Sequence, residues 1–235
     1  MSFTELLEKA LSGAAITLPE GGTEKLSAFN EELLRVNEQM NLTAITEPSD
    51  MVSKHYIDAL KGAGLLPENG KVLDIGSGAG FPGVPLAVAR PDVAITLMDA
   101  LAKRLNFIEN ALKKAGVPPL ALLHGRAEEY GKDPDFRETF DAVTARAVAA
   151  LPALCEYCLP FVKVGGVFLA YKGPGAAEEL AAAGNALKTL GGAAEKTVSY
   201  TLAGGEERNI LVIRKISPTP AKYPRNPKKI KERPL

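Results

Sequence analysis

The sequence is poor in the residues on which metal, redox and membrane functions depend. Its 235 residues include two cysteines, two histidines and no tryptophan, and the formal net charge is zero. No apolar run approaches the length that crosses a membrane, and residues 1–20 carry acidic Glu5 and Glu8, unlike a signal peptide. We therefore expect a globular cytoplasmic protein with no metal site, and not a chain that is basic over its whole surface.

The two cysteines, Cys155 and Cys158, have a C-x-x-C spacing that admits a structural and a redox interpretation. Zinc needs a second pair of ligands, and neither histidine lies near this pair in the sequence. The segment is rich in alanine and leucine, and the i, i+3 spacing places both thiols on one helix face. We favour buried structural thiols over a redox pair.

The chain divides into a helical region (1–60), a segment in which strands and helices alternate (61–216) and a basic tail (217–235). Ser2 and Glu5 form a capping box that predicts the start of the first helix. Apolar runs predict strands at 71–75, 93–98, 120–124, 140–144, 166–171, 195–202 and 208–214. The first five alternate with helical stretches and the last two are close enough for a hairpin, which together predict an α/β fold with a mostly parallel sheet.

A glycine-rich loop follows the first predicted strand and opens a helix, so that a ligand can approach the backbone and free N–H groups closely. Two interpretations compete. Gly78, Gly80 and Gly83 fit a dinucleotide fingerprint, whereas Asp74, Gly76, Gly78 and Gly80 fit a D-x-G-x-G-x-G pattern. A carboxylate has no favourable electrostatic interaction with a pyrophosphate, whereas it attracts a sulfonium and an ammonium group. Asp74 therefore favours S-adenosylmethionine (SAM), and the pattern resembles motif I of the class I methyltransferases.

Further candidates follow the carboxyl ends of the predicted strands, where doubly wound sheets bind ligands. Phe81 is placed to flank an adenine or methionine group. Asp99 either accepts both ribose hydroxyls or caps the next helix. The Ala127 backbone N–H and the carboxylate of Glu128, or of the acidic residue after it, are placed to contact the adenine edge. Arg146 is a further candidate for cofactor binding: it is placed to hold a carboxylate, a phosphate or the side chain of Asp74, unless it forms an ordinary surface ion pair.

Motifs that the sequence lacks limit the kinds of chemical group that could accept a methyl group. Amine methylation commonly goes with D/N-P-P-Y/F after the fourth strand, where this chain has Thr144-Ala145-Arg146-Ala147. Pyrimidine C5 methylation needs a cysteine nucleophile, usually after a proline, and no cysteine here follows a proline. A ring nitrogen with an in-plane lone pair, such as guanine N7, needs neither base nor nucleophile, only alignment and exclusion of water. We assign no catalytic residue.

Six segments of the sequence together form a more specific pattern: Asn41–Thr43, Lys54–Asp58, Asp74–Gly83, Gly125–Glu128, Arg146-Ala147 and Lys222–Arg225. In this order they resemble the RsmG (GidB) family, bacterial methyltransferases of small-subunit ribosomal RNA, and the resemblance covers nearly the whole chain. The resemblance implies the class I SAM-dependent methyltransferase fold: Rossmann-like, seven-stranded, mostly parallel, with one antiparallel strand inserted at an edge and an N-terminal helical extension. It also implies SAM as cofactor and N7 methylation of one guanine in the 530-loop region of 16S ribosomal RNA.

Four residues are candidates for contact with 16S ribosomal RNA or the small ribosomal subunit: His55, Lys172, Lys222 and Arg225. The tail from Lys222 carries six cations and one anion, and we expect it to lie along RNA phosphates rather than to be merely solvated. We expect a monomer. Two alternatives stay open: a SAM-dependent methyltransferase acting on another RNA, a protein or a small molecule, and a non-enzymatic RNA-binding module.

Overall fold

The computed structural model describes residues 1–235, and its centre is a single sheet. Its strands are β1 (Lys71–Ile75), β2 (Ala94–Asp99), β3 (Ala121–His124), β4 (Phe140–Arg146), β5 (Val162–Lys172), β6 (Gly192–Thr201) and β7 (Glu207–Lys215). They lie in the order β3-β2-β1-β4-β5-β7-β6, with β1 to β5 parallel and β7 antiparallel to both of its neighbours. The mostly parallel seven-stranded sheet with one inserted antiparallel strand is confirmed.

Helices cover both faces of the sheet. They span Phe3–Gly13, Gly22–Met40, Pro48–Asp50, Met51–Ile57 (a π-helix), Asp58–Leu60, Gly83–Ala89, Ala102–Lys114, Ala127–Tyr130, Leu151–Cys158, Ala176–Ala182, Gly184–Leu190 and Pro227–Glu232, with single 3-10 turns at Ala63–Leu65 and Leu159–Phe161. The predicted capping box is confirmed: Glu5 N donates to Ser2 Oγ at 3.2 Å, and Ser2 N donates to Glu5 Oε2 at 2.7 Å. No helix of the chain is both long and apolar enough to span a membrane.

Two hydrophobic clusters lie on opposite faces of the sheet, because successive side chains of a strand point to opposite sides. Val72 of β1 belongs to the cluster that also contains Phe29 of the N-terminal helices, whereas Leu73 belongs to the other cluster. Cys155 and Cys158 are buried in this second cluster, and burial raises the pKa of Cys155 to about 12. The prediction of buried thiols is confirmed.

The basic tail folds back onto the second face of the sheet. The Arg137 guanidinium donates to the carbonyl oxygens of Gly131, Thr219 and Tyr223 at 2.6–2.8 Å, which fastens the start of the tail. The Asn226 side chain then accepts from Lys229 N at 2.9 Å and caps the helix Pro227–Glu232. Within this lysine-rich helix Ile230 is fully buried. The tail is therefore a packed element of the fold.

Candidate functional site

The glycine loop connects β1 to the helix Gly83–Ala89 at the carboxyl edge of the sheet. Gly76 has φ +72°, a left-handed conformation, and a Cβ there would lie 2.6 Å from Val148 Cγ2. The residue after β1 therefore has to be glycine on two grounds, backbone conformation and space. The loop is also tied to β2, since Gly76 N and Ser77 N both donate to Met98 O, at 2.9 and 3.0 Å.

Asp74 is fully buried beneath this loop and lines neither of the two large cavities described below. Its Oδ1 accepts from Thr144 Oγ1 at 2.7 Å, and its Oδ2 accepts from Gly83 N at 3.2 Å. Burial raises the pKa of Asp74 to about 6 despite these hydrogen bonds. The carboxylate joins β1, β4 and the first turn of the following helix. Contact of Asp74 with the cation of a bound cofactor stays a prediction.

Asp99, at the end of β2, joins the glycine loop to the next helix. Its Oδ2 accepts from Gly78 N, and its Oδ1 accepts from Leu101 N, both at 2.9 Å. The side chain is 5% exposed. The N-cap of the helix Ala102–Lys114 is Leu101, and that helix has no side-chain cap, so the interpretation of Asp99 as its cap is wrong. The bond from Leu101 N is a local turn before the helix, and the contact of Asp99 with ribose hydroxyls stays a prediction. The same residue also lines a cavity.

That cavity, here called the glycine-loop cavity, has a volume of about 540 Å³. It brings together Gly76, Asp99, Ala127 and Glu128, four of the residues predicted to bind cofactor. They come from the ends of three parallel strands, which is why residues far apart in the chain meet at one edge of the sheet. Gly78 takes part in this site through its backbone N–H, which donates a hydrogen bond to Asp99 Oδ2.

The tail also lines the glycine-loop cavity. Pro227, Lys231 and Pro234 form part of its wall, together with the residues that follow β1 and β2. Sequence analysis assigned the tail to RNA and missed this placement. Two signals were present in the sequence: the helix start at Asn226-Pro227, and one apolar residue, Ile230, among lysines.

A second cavity, here called the Arg146 cavity, has a volume of about 720 Å³. Both cavities are lined by Val148, Ala149 and Ala150, so they meet along this three-residue wall. The turn from β4 into the wall passes through Ala147, whose φ is +57°. Arg146 itself lines only the second cavity.

Arg146 links the end of β4 to the N-terminal helical region. Its guanidinium donates to Asp58 Oδ2 at 2.7 Å and to Lys54 O at 3.0 Å, and it lies 3.2 Å from His55 Nδ1. The side chain is 15% exposed. Arg146 is therefore a buried ion-pair partner that also faces a cavity, and the surface ion-pair interpretation is wrong.

His55 packs against Phe81 with its ring centroid 4.7 Å away and the two planes 16° apart. Its Nε2 lies 2.8 Å from Thr43 Oγ1. Burial, helped by the neighbouring Arg146 charge, lowers the pKa of His55 to about 3, so the imidazole is neutral at physiological pH. Phe81 is 5% exposed, belongs to the core and does not line the glycine-loop cavity. Its contact with an adenine or methionine group stays a prediction.

The other predicted RNA-contact residues differ in what they already bind. Lys172 Nζ donates to Ala149 O and to Glu179 Oε2, both at 2.7 Å, and its side chain lines the Arg146 cavity. Arg225 holds the fully buried carboxylate of Glu156 with three hydrogen bonds of 2.6–3.0 Å from its side chain. Lys222 is exposed.

Comparison with known proteins bears on both sequence and fold. The family described as rRNA small subunit methyltransferase G matches residues 22–211. A protein named ribosomal RNA small subunit methyltransferase G from Lactobacillus delbrueckii subsp. bulgaricus is 46% identical, with 94% of this chain and 95% of the relative covered. Its namesake from Alkaliphilus oremlandii is 42% identical over 100% of both chains. The chain belongs to the rRNA small subunit methyltransferase G family.

Solved structures support the same fold. An O-methyltransferase from Bacillus cereus, solved in complex with SAH, has a TM-score of 0.55 at 17% identity and covers 80% of this chain and 90% of its own. A 16S rRNA (adenine(1408)-N(1))-methyltransferase from Catenulisporales acidiphilia has a TM-score of 0.53 at 15% identity, with 68% and 91% covered. The predicted class I methyltransferase fold of this family member is confirmed.

In this member of the rRNA small subunit methyltransferase G family, Asp74→Asn is expected to remove a pH dependence of stability. The pKa of Asp74 is raised in the folded state from 3.8 to about 6, so its stabilising contribution is complete below pH 3.8 and is lost as the pH rises through 6. A shift of this size corresponds to about 3 kcal/mol. The amide keeps both hydrogen bonds when its oxygen faces Gly83 N and its NH₂ group faces Thr144 Oγ1.

Urea unfolding of both proteins between acid and neutral pH measures this effect. Relative to the Asn variant, the wild-type free energy of unfolding should fall by up to about 3 kcal/mol as the pH rises. Parallel stability curves for the two proteins would contradict the prediction.

Proposed function

We propose that the chain is a SAM-dependent methyltransferase that methylates N7 of a guanine in the 530-loop region of 16S ribosomal RNA. The observation that carries the proposal is the meeting of two cavities along Val148–Ala150, at the carboxyl edge of a class I methyltransferase sheet. One cavity has the glycine loop and the other is lined by cations. Family membership supports ribosomal RNA as the substrate class.

The residues of the glycine-loop cavity fit SAM. Gly76 lets Val148, another residue of the cavity lining, pack directly against the backbone of the glycine loop, and Asp99 presents a carboxylate at the end of β2. We propose that Asp99 accepts from the ribose hydroxyls, and that Ala127 and Glu128 contact the adenine. When bound, SAM supplies the methyl group. Asp74 supports the glycine loop from below, and Phe81 supports His55 beside the Arg146 cavity.

The chemistry asks little of the protein beyond alignment. Guanine N7 attacks with an in-plane lone pair and loses no proton, so no general base is required. The neutral, stacked His55 agrees with this, since both of its ring nitrogens already face partners. Arg146, held by Asp58, lines the Arg146 cavity two residues before the shared wall, and we propose that its rigid fork makes it the positioning residue for that wall.

We propose a division of labour along the chain. Residues 1–60 bring Lys54 and His55 to the substrate side, residues 61–216 form the SAM-binding domain, and residues 217–235 form a tail that serves both cofactor and RNA. The tail's exposed Lys222, Lys228 and Lys229 suit phosphate contacts, whereas Arg225 acts through Glu156. We also propose that the chain acts in the cytoplasm, as a monomer, on the small ribosomal subunit.

Methyl transfer to defined acceptors tests the proposal. The purified chain is incubated with SAM and with small ribosomal subunits from a bacterium that lacks the homologous enzyme, in parallel with free guanosine. We expect transfer to the subunits alone, at one guanine that becomes sensitive to the chain cleavage specific for N7-methylguanine. Transfer to another RNA, a protein or a small molecule would establish the alternative activity, and no SAM binding at all would indicate a non-enzymatic RNA-binding module.

Removal of residues 227–235 is expected to weaken SAM binding, because Pro227, Lys231 and Pro234 form part of the cavity wall. Calorimetry should report a loss of about tenfold or more, the scale of about 1.4 kcal/mol. The matched control is the double variant Lys228→Ala/Lys229→Ala, in which both side chains are exposed and neither lines the cavity.

That control should keep SAM affinity and weaken RNA binding. Its slope of log affinity against log salt should flatten by about 0.7–0.9 for each RNA phosphate that the variant no longer neutralises. Unchanged SAM affinity in the truncated protein would contradict the placement of the tail at the cofactor site.

A further inference from the structure

Two carboxylates line the Arg146 cavity, and they differ in whether both of their oxygens already accept a hydrogen bond from the protein. Asp58 has both oxygens engaged: Oδ2 accepts from Arg146 at 2.7 Å and Oδ1 accepts from the Tyr200 hydroxyl at 2.8 Å. Its side chain is 4% exposed. Asp58 is therefore held by the protein at both oxygens, and we assign it to the wall of the cavity.

Glu179 is only half engaged. Its Oε2 accepts from Leu151 N and from Lys172 Nζ, both at 2.7 Å, while Oε1 accepts no hydrogen bond. The side chain is 33% exposed and lines the cavity. The two bonds to Oε2 orient the carboxyl group from a helix start and a strand end, so Oε1 is presented in a fixed position.

The charges around Glu179 indicate what kind of ligand group donates a hydrogen bond to its free oxygen, Oε1. The cavity is lined by four cations, Lys54, Arg146, Lys172 and Arg208, and by two carboxylates, Asp58 and Glu179. Lys54 is also paired with Asp50 and Glu206, at 3.0 and 3.1 Å, whereas Arg208 lies 3.8 Å from Asp58 and is the least tightly paired of the four. The lining itself carries more positive than negative groups, which suits the phosphate of a nucleotide. A carboxylate repels bound phosphates, and this unfavourable interaction is offset when a group of the ligand donates a hydrogen bond to the carboxylate. A nucleobase with an amino or N–H donor supplies such a group.

We infer that the Arg146 cavity holds the target nucleobase, and that Glu179 Oε1 selects guanine by accepting from its 2-amino group. The inference rests on the proposed function and adds the residue that sets base specificity. Adenine and hypoxanthine both lack a 2-amino group. The N7 atom lies on the opposite, imidazole edge of the purine, so a contact at the 2-amino group leaves N7 free to face the cofactor.

Substitution of the base itself tests this contact. Small subunits are reconstituted with 16S ribosomal RNA that carries either guanosine or inosine at the target position; both keep N7, and inosine lacks only the 2-amino group. We expect wild-type kcat/KM to favour guanosine by about tenfold or more, the scale of one hydrogen bond to a charged group. In Glu179→Gln the amide oxygen is held by Leu151 N and Lys172 and an NH₂ group enters the cavity, so the guanosine-to-inosine ratio should fall towards one.

A matched control is Glu178→Gln, an exposed neighbour on the same helix that does not line the cavity. It should keep the wild-type ratio. A purely structural role for Glu179 would lower both rates equally in Glu179→Gln, and an unchanged ratio would overturn the inference. Equal wild-type rates on the two substrates would overturn it as well. Both results leave the proposed function intact, whereas no wild-type transfer to guanosine-containing subunits would overturn the proposed function and this inference together.

Discussion

Arg146→Ala is expected to reduce methyl transfer by more than about 100-fold and to lower the free energy of unfolding by about 3–5 kcal/mol. The stability loss follows because Asp58, 4% exposed, loses the cation that lies 2.7 Å from its Oδ2. The activity loss follows because Arg146 fixes both the N-terminal helical region and the turn into the wall shared by the two cavities. Single-turnover transfer and urea unfolding measure the two effects separately.

A double variant separates the structural role of Arg146 from its role in transfer. In Arg146→Met/Asp58→Asn no buried charge is left without a partner, so most of the lost stability should return. Methyl transfer should stay low, because the planar fork is still missing. Near-normal transfer by the double variant, or by Arg146→Lys, would reduce Arg146 to a partner of Asp58.

Arg225→Ala should lower the free energy of unfolding by about 3 kcal/mol, since it leaves the fully buried Glu156 without its cation. The neighbouring Lys222→Ala is the matched control, because that side chain is exposed and makes no ion pair. Lys222→Ala should change stability by less than about 0.5 kcal/mol. Thermal and urea unfolding of both variants check the difference. Equally small losses would mean that the tail is held without the Glu156 pair.

Local signals explain why the architecture was predictable from the sequence. The bounds of β1 match the predicted 71–75, since Gly70 and Gly76 flank an apolar run. The glycine loop, Asp99 and the Ala127-Glu128 pair could be grouped in advance because they follow parallel strands, whose carboxyl ends share one edge. Each of these inferences needed only the residues next to a strand.

Contacts between distant residues explain what the sequence could not predict. The Arg146–Asp58 bond joins residues 88 positions apart, and the Arg225–Glu156 bond joins residues 69 positions apart. No local pattern marks either pair. The direction of a side chain was equally hidden: Asp74 was correctly placed at the end of β1, but its carboxylate turns under the loop towards Gly83 N. To predict that the tail lines the glycine-loop cavity, one would need both the contacts between distant residues and the directions of the side chains.

The shared wall Val148–Ala150 has a consequence for the order of binding events. Any displacement of these three residues changes the shape of both cavities at once, so we expect a ligand that moves them in one cavity to alter the affinity of the other. Thermodynamic linkage makes the effect reciprocal: the factor by which the methyl donor alters RNA affinity equals the factor by which RNA alters donor affinity. The demethylated cofactor changes RNA affinity by a factor of its own. The ratio of that factor to the factor for the methyl donor determines whether the methylated subunit leaves before or after the spent cofactor.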